Sequence, residues 1–158
     1  MSCATVTYSH LFLLWPVVNL LIKLTSDPIL CEEALSYVRH ASCGAVSMFE
    51  GDIRNENAGD QVLSLEYEVY ENLFHKEVTR IADELKARWA IHDIAVIQRV
   101  GLLQVGDAGI VICISSAHRR DSLEGLTYAI EEFKKRVPVW KKERTTRNER
   151  WINWTPQS

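Results

Sequence analysis

The chain has 158 residues, 47% of them hydrophobic and 25% charged, with a formal net charge of −3 at pH 7. These values are typical of one globular domain with enough apolar residues for a sizeable core. The pI near 6.0 argues against non-specific binding of nucleic acid, which usually needs a strongly basic domain. The partners that we expect are small anions or another protein.

The cysteines show neither C-x-x-C pairing nor a histidine at zinc-ligand spacing. They are Cys3, Cys31, Cys43 and Cys113. We therefore expect no disulfide framework and no metal site. A reducing compartment, the cytoplasm, fits this cysteine pattern best.

The N-terminal segment is strongly apolar over residues 11–22. It is shorter than the roughly 20 residues that span a bilayer, and Pro16 and Asn19 interrupt it, so we expect no membrane span. No Lys or Arg precedes it, as one would in a signal peptide. Residues 1–19 are left as an unassigned extension, and one domain is expected over residues 20–158.

Apolar periodicity and turn residues predict the elements of this domain. In chain order they are a strand over 20–24, a helix over 27–40, strands over 45–49 and 62–70, a helix over 71–89, strands over 94–100 and 109–115, a helix between Ser116 and Pro138, and extended segments over 139–144 and 150–154. This order predicts an α+β fold, in which helices pack on a mixed, mostly antiparallel sheet.

Three local signals support this assignment. Asp27 followed by Pro28 is typical of a helix start. Residues 62–70 alternate between apolar and polar side chains, which indicates a strand with one solvated face. Asp121 and Glu124 have the spacing of a capping box near the start of the last helix, and a start a few residues earlier is the alternative.

Positive charge is concentrated from Lys134 to Arg150, where eight Lys or Arg accompany two acids. This local charge of +6 leaves −9 for the remainder of the chain. Because Pro138 cannot continue a helix, Lys134 and Lys141 are expected on different elements, from which two ammonium groups could converge on one anion. A solvated basic face is the alternative explanation of the stretch.

Two ammonium groups held close together depress each other's pKa. One of them can then exchange a proton near neutral pH while the other holds an anion. Such a pair suits chemistry on a phosphorylated substrate. The adjacent Lys135 and Lys142 are expected to point elsewhere and are the natural controls.

Other candidates are weaker when taken alone. His118 and Arg119 follow a buried strand at the expected start of a helix, where an anion is favoured, but surface residues also occur there. Arg54, in a glycine-flanked loop, can bind phosphate or carboxylate, although a lone loop arginine is usually solvated. Phe49 and Trp140 are more consistent with the core, although Trp140 could also be a stacking surface for a flat heterocycle.

Five strings resemble a known family when they are read in order. They are CGAVSMFEGDIRNEN (43–57), LSLEYEVYE (63–71), RVGLLQVGD (99–107), SSAHRRDSLEG (115–125) and VPVWKKE (137–143). Together they closely resemble the large, catalytic subunit of molybdopterin synthase, from roughly residue 21 to residue 154. The resemblance implies an α/β hammerhead-like fold, a sulfur transferase of molybdenum cofactor biosynthesis, and no metal or other cofactor.

The same resemblance implies the partners. Two copies would form the central dimer of a heterotetramer, and each would take up the Gly-Gly tail of a small ubiquitin-like subunit. That tail carries a thiocarboxylate, whose sulfur passes to cyclic pyranopterin monophosphate, twice, to form the dithiolene of molybdopterin. From the composition we expect neither nucleic acid nor a membrane as a partner.

The resemblance also implies roles for individual residues. Lys134 and Lys141 match the active-site lysines, Lys134 for proton transfer and Lys141 for holding the substrate or the tail. The substrate-binding residues that it implies are Phe49, Arg54, His118, Arg119 and, across the dimer interface, Arg150.

A function of another class is compatible with the residues themselves. The chain could be a non-catalytic module that binds an acidic protein tail or a phosphorylated metabolite through the basic stretch 134–150. Such a module would tolerate arginine at Lys134, whereas a proton-transferring lysine would not, because arginine keeps its charge but cannot readily deprotonate.

Overall fold

Two sheets and three helices make up residues 19–152, the part of the chain that the computed structural model describes. The strands are β1 (Asn19–Thr25), β2 (Ala45–Asp52), β3 (Glu56–Asn57), β4 (Asp60–Val69), β5 (Ile91–Arg99), β6 (Gly101–Gln104), β7 (Ala108–Ser116), β8 (Val139–Thr145) and β9 (Glu149–Ile152). The helices are α1 (Cys31–Val38), α2 (Glu71–Arg88) and α3 (Arg119–Arg136).

The first sheet has the strand order β1-β5-β7-β2 and lies between helices. Strands β1 and β5 are parallel, and the other neighbours are antiparallel. Helix α1 packs on one face against Val111 and Cys113 of β7, while α2 and α3 pack on the other face against Ile112 and Ile114. Because both faces are covered, β7 is buried at nearly every position.

The second sheet has the order β3-β4-β8-β9, with β6 also paired to β4. All of its pairings are antiparallel. The register places Tyr67 of β4 opposite Lys141 of β8 on one side and opposite Gly101 of β6 on the other. The predicted α+β class with mostly antiparallel strands is therefore confirmed, with the strands divided between two sheets.

The short strands β3 and β6 are missing from the sequence prediction. They have two and four residues, which is too short for a side-chain period to be recognised. Strand β5 also begins three residues before the predicted residue 94, at Ile91.

The start of α1 differs from the prediction. The helix begins at Cys31, not at Asp27 and Pro28, and no side chain caps it. The backbone N–H of Asp27 instead donates to the Thr25 hydroxyl at 3.0 Å. This local bond holds a turn where the sequence suggested a helix start.

The start of α3 also lacks the predicted capping box. The helix begins at Arg119 with His118 as its N-cap residue, and no side-chain hydrogen bond caps it. Asp121 therefore lies within the first turn, where its negative charge still interacts favourably with the helix dipole.

The alternation predicted for β4 fails at one point. The register with β8 shifts between Val62 and Ser64, so Ser64 is buried and Leu63 is exposed. An extra residue in one strand turns the side chains beyond it to the other face. Trp140, expected in the core, is exposed because it alternates along β8 with the buried Val139.

The predicted N-terminal extension, residues 1–19, lies outside the described residues except for Asn19, which begins β1. The last predicted segment continues beyond residue 152 and lies partly outside them too. Within residues 19–152 no helix combines the length and the apolarity needed to cross a membrane. The same residues include no group of three or more His, Cys, Asp or Glu that could hold a metal ion.

A polar network joins α2 to α3 beside the core. Glu84 accepts hydrogen bonds from two guanidinium nitrogens of Arg136, at 2.8 and 3.0 Å, and one from the Tyr128 hydroxyl at 2.5 Å. The bonds from Arg136, followed by that from Tyr128, lower the pKa of Glu84 below its ordinary 4.5. The ionised carboxylate therefore stabilises the packing of the two helices.

We predict that Glu84→Ala lowers the free energy of unfolding at pH 7 by about 1 kcal/mol, the usual size for a partly exposed charged network. Since the folded-state pKa of Glu84 is depressed, its contribution is present above pH 4.5 and is lost as the pH falls through the folded value. Urea unfolding at pH 7 and well below pH 4.5 measures both effects.

The control for this prediction is Asp83→Ala, the exposed neighbour whose carboxylate lies 3.7 Å from the Lys86 ammonium. It should change stability little at either pH. An equal loss in the two variants at pH 7 would contradict a specific role for Glu84.

Candidate active site

The basic stretch brings two lysines to one cavity. Lys134 lies in the last turn of α3 and Lys141 lies in β8, with Pro138 between the two elements. Both side chains line a cavity of about 110 Å³. Most of its wall is apolar and comes from β2, β7, α3 and β8, through Phe49, Ile110, Ile112, Phe133 and Val139. The two lysines thus lie on different elements, as Pro138 predicted, and both side chains reach one cavity.

A second cavity, of about 210 Å³, lies on the other side of Lys141. Lys141 and Tyr67 line both cavities and form the wall between them. The second cavity is more polar and includes Arg54, Asn57 and Glu143. Lys141 therefore faces an apolar space on one side and a polar, charged space on the other.

Each of the two lysines lies near an aromatic ring. The ammonium nitrogen of Lys134 is 5.9 Å from the centre of the Phe49 ring, and that of Lys141 is 5.4 Å from the centre of the Tyr67 ring. At these distances the negative face of the ring attracts an ammonium group. The rings therefore favour positions of the two lysines that face the cavity.

The lysines of the site differ from their neighbours in having no carboxylate within 4.0 Å among residues 19–152. Most other basic residues of the stretch form ion pairs: Lys135 with Glu132, Arg136 with Glu84 and Glu132, Lys142 with Glu149, Arg147 with Asp60, and Arg150 with Glu143. Burial first, and then the nearby charge of Lys134, lower the pKa of Lys141. Lys141 thus loses its proton more easily than an ordinary lysine does.

Glu143 is the carboxylate closest to Lys141 along the strand, two residues away on the same face of β8. It is 2% exposed, and both of its oxygens are occupied: Asn57 donates to one at 2.7 Å, and Arg150 donates to the other at 3.0 Å. Because these bonds satisfy Glu143, it does not pair with Lys141. Arg150 does not itself line the second cavity, but its guanidinium pairs with Glu143, which does.

Sequence reasoning missed both Tyr67 and Glu143. The only signal in the sequence was the alternation of side chains along a strand. It places Glu143 on the same face as Lys141, which lies two residues before it, and Tyr67 on the inward face of β4. Neither residue type at these spacings indicates chemistry by itself. Their contribution depends on which strands pair.

The structure brings four of the predicted site residues together: Lys134, Lys141, Phe49 and Arg54. His118 and Arg119 lie elsewhere, exposed at the opposite end of α3. At 1.5 Å of rise per residue, the start of this helix is about 22 Å from Lys134. Within one copy of the chain, His118 and Arg119 therefore do not reach the cavities beside the lysines.

Comparison with known proteins places this geometry in a family. The chain matches the model of the MoaE protein family over residues 24–136. It is 44% identical to molybdopterin synthase catalytic subunit 2 of Aedes aegypti, over 84% of this chain and 86% of that protein. It is also 43% identical to the bovine molybdopterin synthase catalytic subunit, over 78% of this chain and 65% of the bovine protein.

Solved structures share the fold. Molybdopterin synthase from Staphylococcus aureus superimposes with a TM-score of 0.79 at 32% identity, covering 83% of this chain and 96% of that one. A complex of subunits 1 and 2 of molybdopterin-converting factor from Helicobacter pylori has a chain of the same fold, with a TM-score of 0.63, 18% identity, and coverage of 84% and 87%.

The family model spans more than half of the chain, and the relatives match it well above 30% identity along most of its length. The resemblance carried by the five sequence strings is thereby confirmed. The chain belongs to the MoaE family, the catalytic subunits of molybdopterin synthase, and is an enzyme of molybdenum cofactor biosynthesis.

Proposed function

We propose that the chain transfers sulfur to cyclic pyranopterin monophosphate from the C-terminal thiocarboxylate of a small ubiquitin-like subunit. The observation that supports this function is the pair of lysines, free of carboxylate partners in the described residues, that lines the cavity. Thiocarboxylate and phosphate are both anions, and fixed charges in a partly desolvated site stabilise a developing negative charge. Each transfer exchanges one substrate oxygen for sulfur and leaves the tail as a carboxylate, so no oxidant or reductant is consumed.

The two cavities suggest how the reactants divide. The smaller cavity is mostly apolar and is lined by Lys134 and Lys141, which suits a Gly-Gly tail that has no side chains and ends in a charged group. The second cavity includes Arg54, whose guanidinium can bind phosphate with two N–H groups. Lys141 lies between them, where both reactants would meet.

The lowered pKa of Lys141 supports a division of labour that differs from the one the resemblance implies. We assign proton exchange with the reacting groups to Lys141, because desolvation and the charge of Lys134 favour its neutral form. Lys134 is exposed at the rim of the cavity and supplies the fixed positive charge. Both lysines remain essential in this scheme.

The position of His118 and Arg119 supports a dimer. If they bind the substrate phosphate, as the resemblance implies, they must come from a second copy, because α3 separates them from Lys134 by about 22 Å. The complex of two subunits seen for the Helicobacter pylori protein supports a second partner, the small subunit. A central dimer with two small subunits, a heterotetramer, satisfies both requirements.

The cytoplasm is the compartment that we propose for this reaction. The cysteines of the described residues, Cys31, Cys43 and Cys113, are free. Cys113 of β7 is buried against α1, where it packs as a small apolar residue. Free cysteines of this kind are typical of a reducing compartment.

We predict that Lys134→Ala and Lys141→Ala each abolish product formation from cyclic pyranopterin monophosphate and thiocarboxylated small subunit. Lys141→Arg should also lose turnover by about 10²-fold or more, since arginine does not release a proton near neutral pH, whereas Lys134→Arg should keep part of it. Single-turnover assays with purified proteins measure each rate.

The controls are Lys135→Ala and Lys142→Ala, whose ammonium groups pair with Glu132 and Glu149 outside the cavity. They should remain near wild type. Tolerance of arginine at Lys141 but not at Lys134 would reverse the two roles. Binding of the small subunit by the wild type without product would favour the docking module instead.

A second prediction concerns the dimer. Inactive Lys134→Ala and inactive Arg119→Ala chains, mixed and reassembled, should recover roughly a quarter of wild-type turnover, because half of the dimers are mixed and each of those has one complete site. Neither variant should regain activity when reassembled alone. Absence of recovery in dimers shown to be mixed would mean that the two residues do not share a site across the interface.

A further inference from the structure

Tyr67 occupies a fixed position at the centre of the second sheet. Its strand pairs on both sides, so that Tyr67 lies opposite Lys141 of β8 and opposite Gly101 of β6. The side chain is 8% exposed and belongs to the main core cluster. The backbone and the core together leave its ring little freedom to move.

The face of this ring meets the side chain of Lys141, whose nitrogen is 5.4 Å from the ring centre. Burial raises the pKa of the Tyr67 phenol to about 12, so the ring is uncharged at neutral pH. A neutral ring attracts an ammonium group through its quadrupole. It does so without the full negative charge of a carboxylate, which would raise the pKa of the lysine.

The edge of the ring packs on the backbone of β7 at Gly109. A Cβ atom at Gly109 would lie 2.8 Å from Cε2 of Tyr67 and 3.1 Å from its hydroxyl oxygen. The φ of Gly109 is not in the positive region, so space and not conformation excludes a side chain there. The carbonyl of Gly109 also accepts a hydrogen bond of 2.9 Å from Gln98, which fixes that backbone.

We propose that Tyr67 is a positioning residue for Lys141, and that the absence of a side chain at Gly109 makes room for the ring that performs this task. The inference rests on the role proposed above for Lys141. Tyr67 and Lys141 together form the wall between the two cavities. The ring holds the ammonium group of Lys141 at that wall. Without the ring, the flexible lysine side chain would also occupy rotamers that point towards solvent.

Two substitutions separate the ring from the hydroxyl group. Tyr67→Phe keeps the ring and its contact with Gly109, so it should retain turnover within about threefold. Tyr67→Leu removes the ring and should lower kcat by about 10-fold or more, with little change in KM for the pterin substrate, because a displaced lysine impairs the chemical step more than binding.

A third substitution, at Gly109, displaces the edge of the Tyr67 ring. Gly109→Ala should resemble Tyr67→Leu in kcat, because the added Cβ overlaps the ring edge. The double variant with Tyr67→Leu should be no worse than Tyr67→Leu alone, since the smaller side chain clears that atom. A further loss in the double variant would mean that Gly109 acts independently of the ring.

The decisive experiment reads the position of Lys141 without using activity. The lysines are reductively methylated with ¹³C-formaldehyde, which preserves their charge, and the Lys141 signal is assigned by its absence in Lys141→Arg. NMR titration then gives its pKa. In Tyr67→Leu and Gly109→Ala this pKa should rise towards its ordinary 10.5, because the ammonium group leaves its buried position for water. It should stay unchanged in Tyr67→Phe.

Leu103→Ala is the matched control, since Leu103 is fully buried in the same core cluster but does not line either cavity. It should destabilise the fold and leave the pKa of Lys141 unchanged. An unchanged or lower pKa in Tyr67→Leu would overturn the inference, whatever the turnover. An inactive wild type would instead count against the proposed function, and the titration would still decide the role of the ring.

Discussion

The pairing of β4 with β8 is the constraint on which the rest of the site depends. It sets Tyr67 opposite Lys141, and it directs Val139, Lys141 and Glu143 to the same face of β8. A slip of one residue would turn all of these side chains to the opposite face. The backbone hydrogen bonds between β4 and β8 therefore determine which side chains line the two cavities.

The site also depends on the positive charge of Lys141, which no carboxylate of residues 19–152 neutralises. Glu143 lies on the same face of the strand, but Asn57 and Arg150 occupy its oxygens. Burial and the charge of Lys134 can then lower the pKa of Lys141 without an opposing carboxylate. The same ion pair keeps the buried Glu143 satisfied, which matters because an unpaired buried carboxylate is strongly unfavourable.

The features that could be predicted are those with local signals. A proline and a charge run indicated that Lys134 and Lys141 lie on different elements, and helical periodicity located α2. The contributions of Tyr67 and Glu143 could not be predicted, because they arise from the register between strands that are far apart in the chain. The role of His118 was implied only by the family resemblance, and the sequence of one chain does not show whether His118 and the lysines of the same copy share a site.

Helix α3, with 18 residues, is more than a layer of the core. It carries one set of basic side chains at its beginning and another at its end. An inserted or deleted residue would rotate everything beyond it by about 100° and shift it by about 1.5 Å, so Lys134 would no longer point into its cavity. The number of residues in the helix therefore fixes the position of Lys134 relative to its cavity. Tolerated length changes should therefore fall in the loops.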